Sequence, residues 1–223
     1  MPPHPTGRVS RPQVLTALHT GMADAIRDYA QWTKGETLTA WASEGFLVTY
    51  CARALTRTID RSDSAMSITL EQHFGEVLDH SQRLGKKGRR FKHEEDLLSR
   101  PSRRVDLLLW NAKNTPRAVI EIKRSAGIGG LRADAGRICQ FVRYAGKAYD
   151  GSIQYGVLAT TAQLAAGSSS AAIDRFHQPR REALQQVAHA HDMVLETPPP
   201  RTVSVRDLHV PCLMQTMVYV FRG

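Results

Sequence analysis

Asp106, Glu121 and Lys123 are the residues of this chain whose types and spacing suit chemistry. Each is charged, and each sits in a run that is otherwise rich in Val, Ile and Leu. Residues 103–110 read Arg-Arg-Val-Asp-Leu-Leu-Leu-Trp, and residues 116–123 read Pro-Arg-Ala-Val-Ile-Glu-Ile-Lys. Asn111 to Thr115 between them marks a β-hairpin with a loop of about five residues. A hairpin centred between Lys113 and Asn114 sets Asp106 opposite Glu121. Glu121 and Lys123, two apart on a strand, share a face. In this register two carboxylates and an ammonium gather on one patch of an apolar sheet, whereas a slip of one residue turns one strand's set to the other face. Charges left unpaired there are costly. A divalent cation with oxygen ligands, Mg²⁺ or Mn²⁺, is the fitting partner.

The elements that must position these residues follow from periodicity. Val14, Leu15, Leu18, Met22, Ala25, Ile26 and Tyr29 predict a helix from Gln13 to Thr33. Trp41, Phe46, Leu47, Tyr50, Ala54 and Leu55 predict a second from Thr39 to Arg57, with Glu44 on its first turns, where a negative charge suits the helix N-terminus. Met66 to Gln82 carries two signals: residues 67–70 could open a strand, while Phe74, Val77 and Leu78 keep helical spacing. The helix is preferred. After the hairpin, a helix from Leu131 to Ala148 presents Ile138, Phe141, Val142 and Ala145. Gln140 and Tyr144, four apart, are neighbours on it, which alone is no more than a polar helix face. Ser152 to Thr161 reads as a further strand. Ala171 to His191 reads as a polar helix that Pro179 kinks or splits. Residues 197–201 form a stiff link, and Val203 to Val205 and Gln215 to Phe221 add edge strands. Residues 1–11, with three prolines, read as a disordered tail. Residues 12–223 read as a single domain.

The net charge of +9 favours a polyanionic partner, nucleic acid before an anionic membrane surface. A basic run, Arg83, Lys86, Lys87, Arg89, Arg90 and Lys92, interleaved with Gly85 and Gly88, suits contact with a phosphate backbone. Charge runs are also commonly just solvated surface. Arg124, directly after the hairpin, joins this set of candidate nucleic-acid contacts. Three cysteines with no C-x-x-C spacing point to a reducing cytoplasm. No apolar run reaches about 18 residues, the length that marks a membrane helix, and the N-terminal residues lack the apolar centre of a signal peptide. P-loop, G-x-S-x-G and zinc-finger spacings are absent.

Asp106, a spacer and Glu121-Ile122-Lys123 resemble the D…(D/E)-x-K core of the PD-(D/E)xK nuclease superfamily. Gln140-Phe141-Val142-Arg143-Tyr144 resembles the Q-h-x-x-Y motif of its RecB-like and lambda-exonuclease-like branch. The resemblance spans about Glu44 to Ala159, and Val105 stands where the nominal motif has Pro. It implies an α/β (α+β) fold: a restriction-endonuclease-like core of a mixed central β-sheet flanked by helices. It implies one or two Mg²⁺ (or Mn²⁺) ions held by Asp106, Glu121 and the main-chain carbonyl of Ile122, with Glu44 completing the set. Lys123 would orient a metal-bound water, accept its proton or offset developing charge, and Gln140 and Tyr144 would help position substrate. The implied activity is metal-dependent hydrolysis of DNA, more than RNA, in defence against phage and mobile elements or in repair. A second copy would ease cutting of both strands, and a protein partner could supply specificity. Two other readings stand beside it. One is a catalytically silent nucleic-acid-binding subunit of the same fold; the other is an interaction protein whose three charges form structural ion pairs.

Overall fold

In the computed structural model, which describes residues 7–81, 103–205 and 207–223, Ser10 starts the first helix, α1 (Arg11–Trp32). The Ser10 hydroxyl accepts from the Gln13 N–H, and the Gln13 side chain returns to the Ser10 backbone, a reciprocal cap. Just before it, Val9 is buried, and its carbonyl accepts from the buried Arg117 guanidinium at 2.6 Å. The loose tail expected through residue 11 therefore gives way to packed chain by Val9, while residues 1–6 lie outside the described residues.

The second predicted helix is two. α2 (Leu38–Trp41) ends after one turn, and α3 (Glu44–Arg61) begins afresh. Ala42 and Ser43 between them are extended, and Ser43 Oγ accepts from the Phe46 N–H at 3.3 Å. A serine that can satisfy a free N–H outcompetes continuation of the helix through it. Glu44 thus opens α3. Ser43→Ala is expected to cost about 1 kcal/mol and to lower the melting temperature by roughly 2–4 °C. An unchanged thermal transition would show that Ser43 does not hold this break.

Of residues 66–82, preferred as helix, the described ones divide instead into strand β1 (Ser67–His73) and helix α4 (Phe74–Ser81). β1 pairs antiparallel with β2 (Arg104–Trp110), so the tertiary ladder overrides local spacing. Only Phe74, Val77 and Leu78, all buried, use the helical period. β2 turns back into β3 (Pro116–Lys123) through the predicted loop. Asn111 organises that loop by accepting from the N–H groups of Lys113 and Thr115, while Asn114 takes a left-handed φ of 53°.

α5 (Ile128–Tyr144) and a short 3₁₀ turn (Lys147–Tyr149) cross over to β4 (Tyr155–Ala165), parallel to β3. Gly156 lets α5 lie tight on the sheet, since a Cβ there would collide with Ile138. α6 (Ser170–Ala190) runs unbroken through Pro179. That proline and Arg175, the residue whose carbonyl loses its donor, both lie on the exposed face. β5 (Val194–Glu196), β6 (Arg201–Val203) and β7 (Cys212–Arg222) complete the sheet. Its order is β1-β2-β3-β4-β7-β5, with β6 also on β7. β7 is therefore internal, not the predicted edge strand. Its residues from Met214 to Phe221 are buried between β4 on one side and β5 and β6 on the other.

The molecule is mixed α/β, a seven-stranded mixed sheet with helices on both faces. One core joins α1 and α3 to Leu107, Leu109, Ile120 and Ile122. The other joins α5 and α6 to Leu108, Val119 and Leu158. Among the described residues, no helix is long and apolar enough to cross a membrane.

Candidate active site

The ladder between β2 and β3 runs in register from Leu109↔Ala118 to Leu107↔Ile120 and ends there, with Asp106 and Glu121 next along the two strands. Asp106 Oδ2 accepts from the Ile122 main-chain N–H at 2.7 Å. On the other flank, β1 pairs through Leu70↔Leu107 and Gln72↔Val105, and Glu71, across from Asp106, adopts a left-handed φ of 51°. Such a conformation is strained by about 1 kcal/mol or more for a residue with a side chain. The sheet's regular pairing thus gives way on both sides of Asp106.

Glu121 is 3% exposed. Burial, and then the neighbouring charge of Asp106, push its carboxyl up to about 8, against weaker relief from Arg137 and Lys123. Burial also raises Asp106, offset in part by the Ile122 N–H, the charge of Lys123 and a hydrogen bond with Glu121. Of the two coupled acids, burial thus pushes Glu121 strongly toward its protonated form in the metal-free protein. Lys123 shares the strand face of Glu121. Its Nζ donates to Glu44 Oε2 at 2.8 Å and lies 3.9 Å from Asp134 Oδ2. Burial opposes its charge, but the hydrogen bond to Glu44 and the charges of Asp134 and Asp106 prevail, so Lys123 titrates above the ordinary lysine range. Asp134, buried on α5, is clasped in turn by Arg137 one helical turn on.

The structure thus gathers Glu44, Asp106, Glu121 and Lys123, four of the residues singled out in the sequence, together with Ile122. It adds Asp134 and Arg137, which sequence reasoning missed. The signal was present: Asp134 occupies the apolar stripe of α5 between Leu131, Ala135 and Ile138, all buried. Gln140 and Tyr144 follow Asp134 by about 9 and 15 Å along the helix axis. They lie toward the hairpin-loop end, where Asn111, Lys113, Val142 and Arg143 line a cavity of about 990 Å³. Tyr144 is half-buried there, with the Arg143 guanidinium 6.0 Å from its ring centre. Arg124 extends the site's other rim. Its Nη1 donates to the carbonyls of Ala42 at 2.6 Å and Ala40 at 3.4 Å. Lys86, Lys87, Arg89, Arg90 and Lys92 lie outside the described residues.

The donor set fits a hard divalent cation. Four acids, Glu44, Asp106, Glu121 and Asp134, outnumber the two bases Lys123 and Arg137, and these bases pair with Glu44 and Asp134. Among the described residues no lysine, arginine or histidine forms an ion pair with Asp106 or Glu121. Nor, among them, are three or more His, Cys, Asp or Glu side chains grouped to hold one ion. The protein would offer two carboxylates and a main-chain carbonyl, with water filling the remaining positions. Mg²⁺ keeps several waters by preference. Compared with models of known protein families and with curated proteins, the chain matches none.

Proposed function

We propose that this chain is a metal-dependent nuclease of the PD-(D/E)xK type that hydrolyses phosphodiester bonds of DNA. The observation that carries the reading is the pair of half-buried Asp106 and buried Glu121, with Lys123 beside it and no ion pair to either acid from a basic side chain among the described residues. Mg²⁺ or Mn²⁺ held by Asp106, Glu121 and the Ile122 carbonyl would supply a water of lowered pKa and positive charge for the phosphate oxygens. Asp106, through its grip on the Ile122 N–H, fixes the strand segment that bears Glu121 and Lys123. Lys123, held charged by Glu44 and Asp134 in the metal-free protein, would orient the attacking water and offset charge building on the phosphate. Glu44 and Asp134 hold that ammonium in place. Gln140 and Tyr144, farther along α5, act on substrate rather than on the ion.

The surplus of nine positive charges and the basic run before β2 support DNA as the partner. Three free cysteines, two of them buried, support a reducing cytoplasm. A second copy for cutting both strands, or a protein partner for recognition, completes the proposal, with defence or repair as its setting.

The test is cleavage of supercoiled plasmid and linear DNA with Mg²⁺ and with EDTA. Cutting should require the metal, and Lys123→Ala should slow it on the order of a hundredfold. If the parent chain binds DNA in a salt-sensitive manner and cuts neither form, the silent DNA-binding subunit is the better reading.

A further inference from the structure

Trp41 is 73% exposed, more than any other large apolar side chain among the described residues. Single exposed apolar residues are ordinary on protein surfaces; the placing of this one is not. It ends α2, and the carbonyls on either side of it, those of Ala40 and Ala42, are the two that hold the Arg124 guanidinium. Arg124 directly follows Lys123, so this clasp ties the backbone of Trp41 to the end of the strand that carries the candidate catalytic lysine. Three residues after Trp41, Glu44 grips Lys123 itself at 2.8 Å. Among the described residues, no aromatic ring packs on Trp41. Trp32, the other exposed tryptophan, already rests edge-on against Phe46 at 5.5 Å.

We infer that Trp41 is a stacking platform for an unpaired base, so that the substrate of this site is DNA with a single-stranded stretch. An indole face offers a sequence-tolerant surface to any base, and in single-strand grooves such faces alternate with cations that follow the backbone. Arg124 is the cation here. In a duplex each base is covered above and below by its neighbours, and Trp41 has nothing to stack on. An unpaired nucleotide beside the scissile phosphate meets Trp41 on one side and Lys123 and Arg124 on the other. Charge complementarity favours this occupant over an apolar partner, because the guanidinium held by the two carbonyls that flank Trp41 is a cation suited to a phosphate.

The inference rests on the nuclease reading for the position of the scissile phosphate, but its test can fail separately. Binding of a single-stranded oligonucleotide and of a blunt duplex is measured with Asp106→Ala protein, which does not consume the DNA, with and without Trp41→Ala and Trp41→Phe. Trp41→Ala should weaken single-strand binding about tenfold, the size of one lost stack. Trp41→Phe should restore most of it, and duplex binding should change less than twofold. Tryptophan fluorescence should be quenched by the single strand, and the quench should be smaller in Trp41→Phe. Unchanged single-strand affinity in Trp41→Ala, an equal loss for duplex, or no single-strand binding by the parent overturns the inference. If the parent fails to cut DNA while Trp41→Ala still loses single-strand affinity, the nuclease reading falls and the stacking platform stands. If the parent cuts and Trp41→Ala binds normally, only the platform falls.

Discussion

Asp106→Ala is expected to slow Mg²⁺-dependent DNA cleavage by about a thousandfold or more, the equivalent of several kcal/mol of lost charge stabilisation at the transition state, while DNA affinity stays within a few-fold of the parent. The two effects separate because Asp106 lies half-buried among other acids, whereas attraction to the phosphate backbone is spread over the basic surplus of the whole chain. Asp106 has two roles, and Asp106→Asn divides them. The amide oxygen can still accept from the Ile122 N–H, so the strand end keeps its shape, but the negative charge is gone. If Asp106 acts only as a clamp on β3, the Asn variant cuts normally and Ala does not. If its charge is needed for the cation, both lose activity alike. Single-turnover rates at saturating enzyme, with melting temperatures as a control for folding, decide between these, and parent-like cutting by Asp106→Asn removes the metal assignment.

That the site's centre was legible in the sequence has a simple cause. Charge is conspicuous in a strand of Val, Ile and Leu, and a short loop fixes which residues face one another. Next to the loop Trp110 pairs with Pro116, and the irregularity between Leu109 and Trp110 then shifts the ladder by one residue, which yields the register expected for a centre between Lys113 and Asn114, Leu107 opposite Ile120. Glu44 was reached through the family resemblance. Its reach to Lys123 depends on the break at Ala42 and Ser43, which helical periodicity passes over because the apolar spacing continues from Trp41 into Phe46. Asp134 carried the same signal as Asp106, an acid in an apolar stripe, but a helix turns its residues through many directions and the stripe's centre is less sharply defined than a strand's two faces. Arg124 looked like a free cation in sequence. The structure gives its guanidinium two main-chain acceptors, a contact between segments more than eighty residues apart that no local pattern encodes.

The fold was legible where elements are long and locally consistent, as in α1, α5 and the hairpin. It was not where partners decide. Ser67 to His73 is a strand because β2 offers it a ladder, and its burial pattern is too mixed to announce a face. Residues 215–221 read as an edge because nothing in the sequence shows that Val194 to Glu196 and Arg201 to Val203 both return to them. Three-residue strands are too short to carry a period.

The metal-free protein is expected to lose stability as pH rises from about 5 to 8, and Glu121→Gln is expected to remove most of that loss. The Glu121 carboxyl is raised from 4.5 to about 8, by burial first and by Asp106 second. Below pH 4.5 the folded and unfolded chains both carry its proton, and no dependence arises. Between 4.5 and 8 the unfolded chain ionises while the folded chain holds its proton, so each step upward in pH favours unfolding, and above 8 the effect levels off. The loss is on the order of a few kcal/mol, or roughly ten degrees of melting temperature for a chain of this size. The buried His19, lowered to about 4 by burial and by Arg201, works in the opposite sense, adding stability as pH rises toward 6.5. It is common to parent and variant, so the difference between their melting curves isolates Glu121. Mg²⁺ sharpens the test. A cation on the Asp106–Glu121 pair takes the place of the proton, so its stabilising effect should grow with pH in the parent and be much reduced in Glu121→Gln. Parallel pH profiles for the two proteins would mean that Glu121 ionises freely in the fold, and the acid pair would then lack the unmet negative charge that calls for an ion.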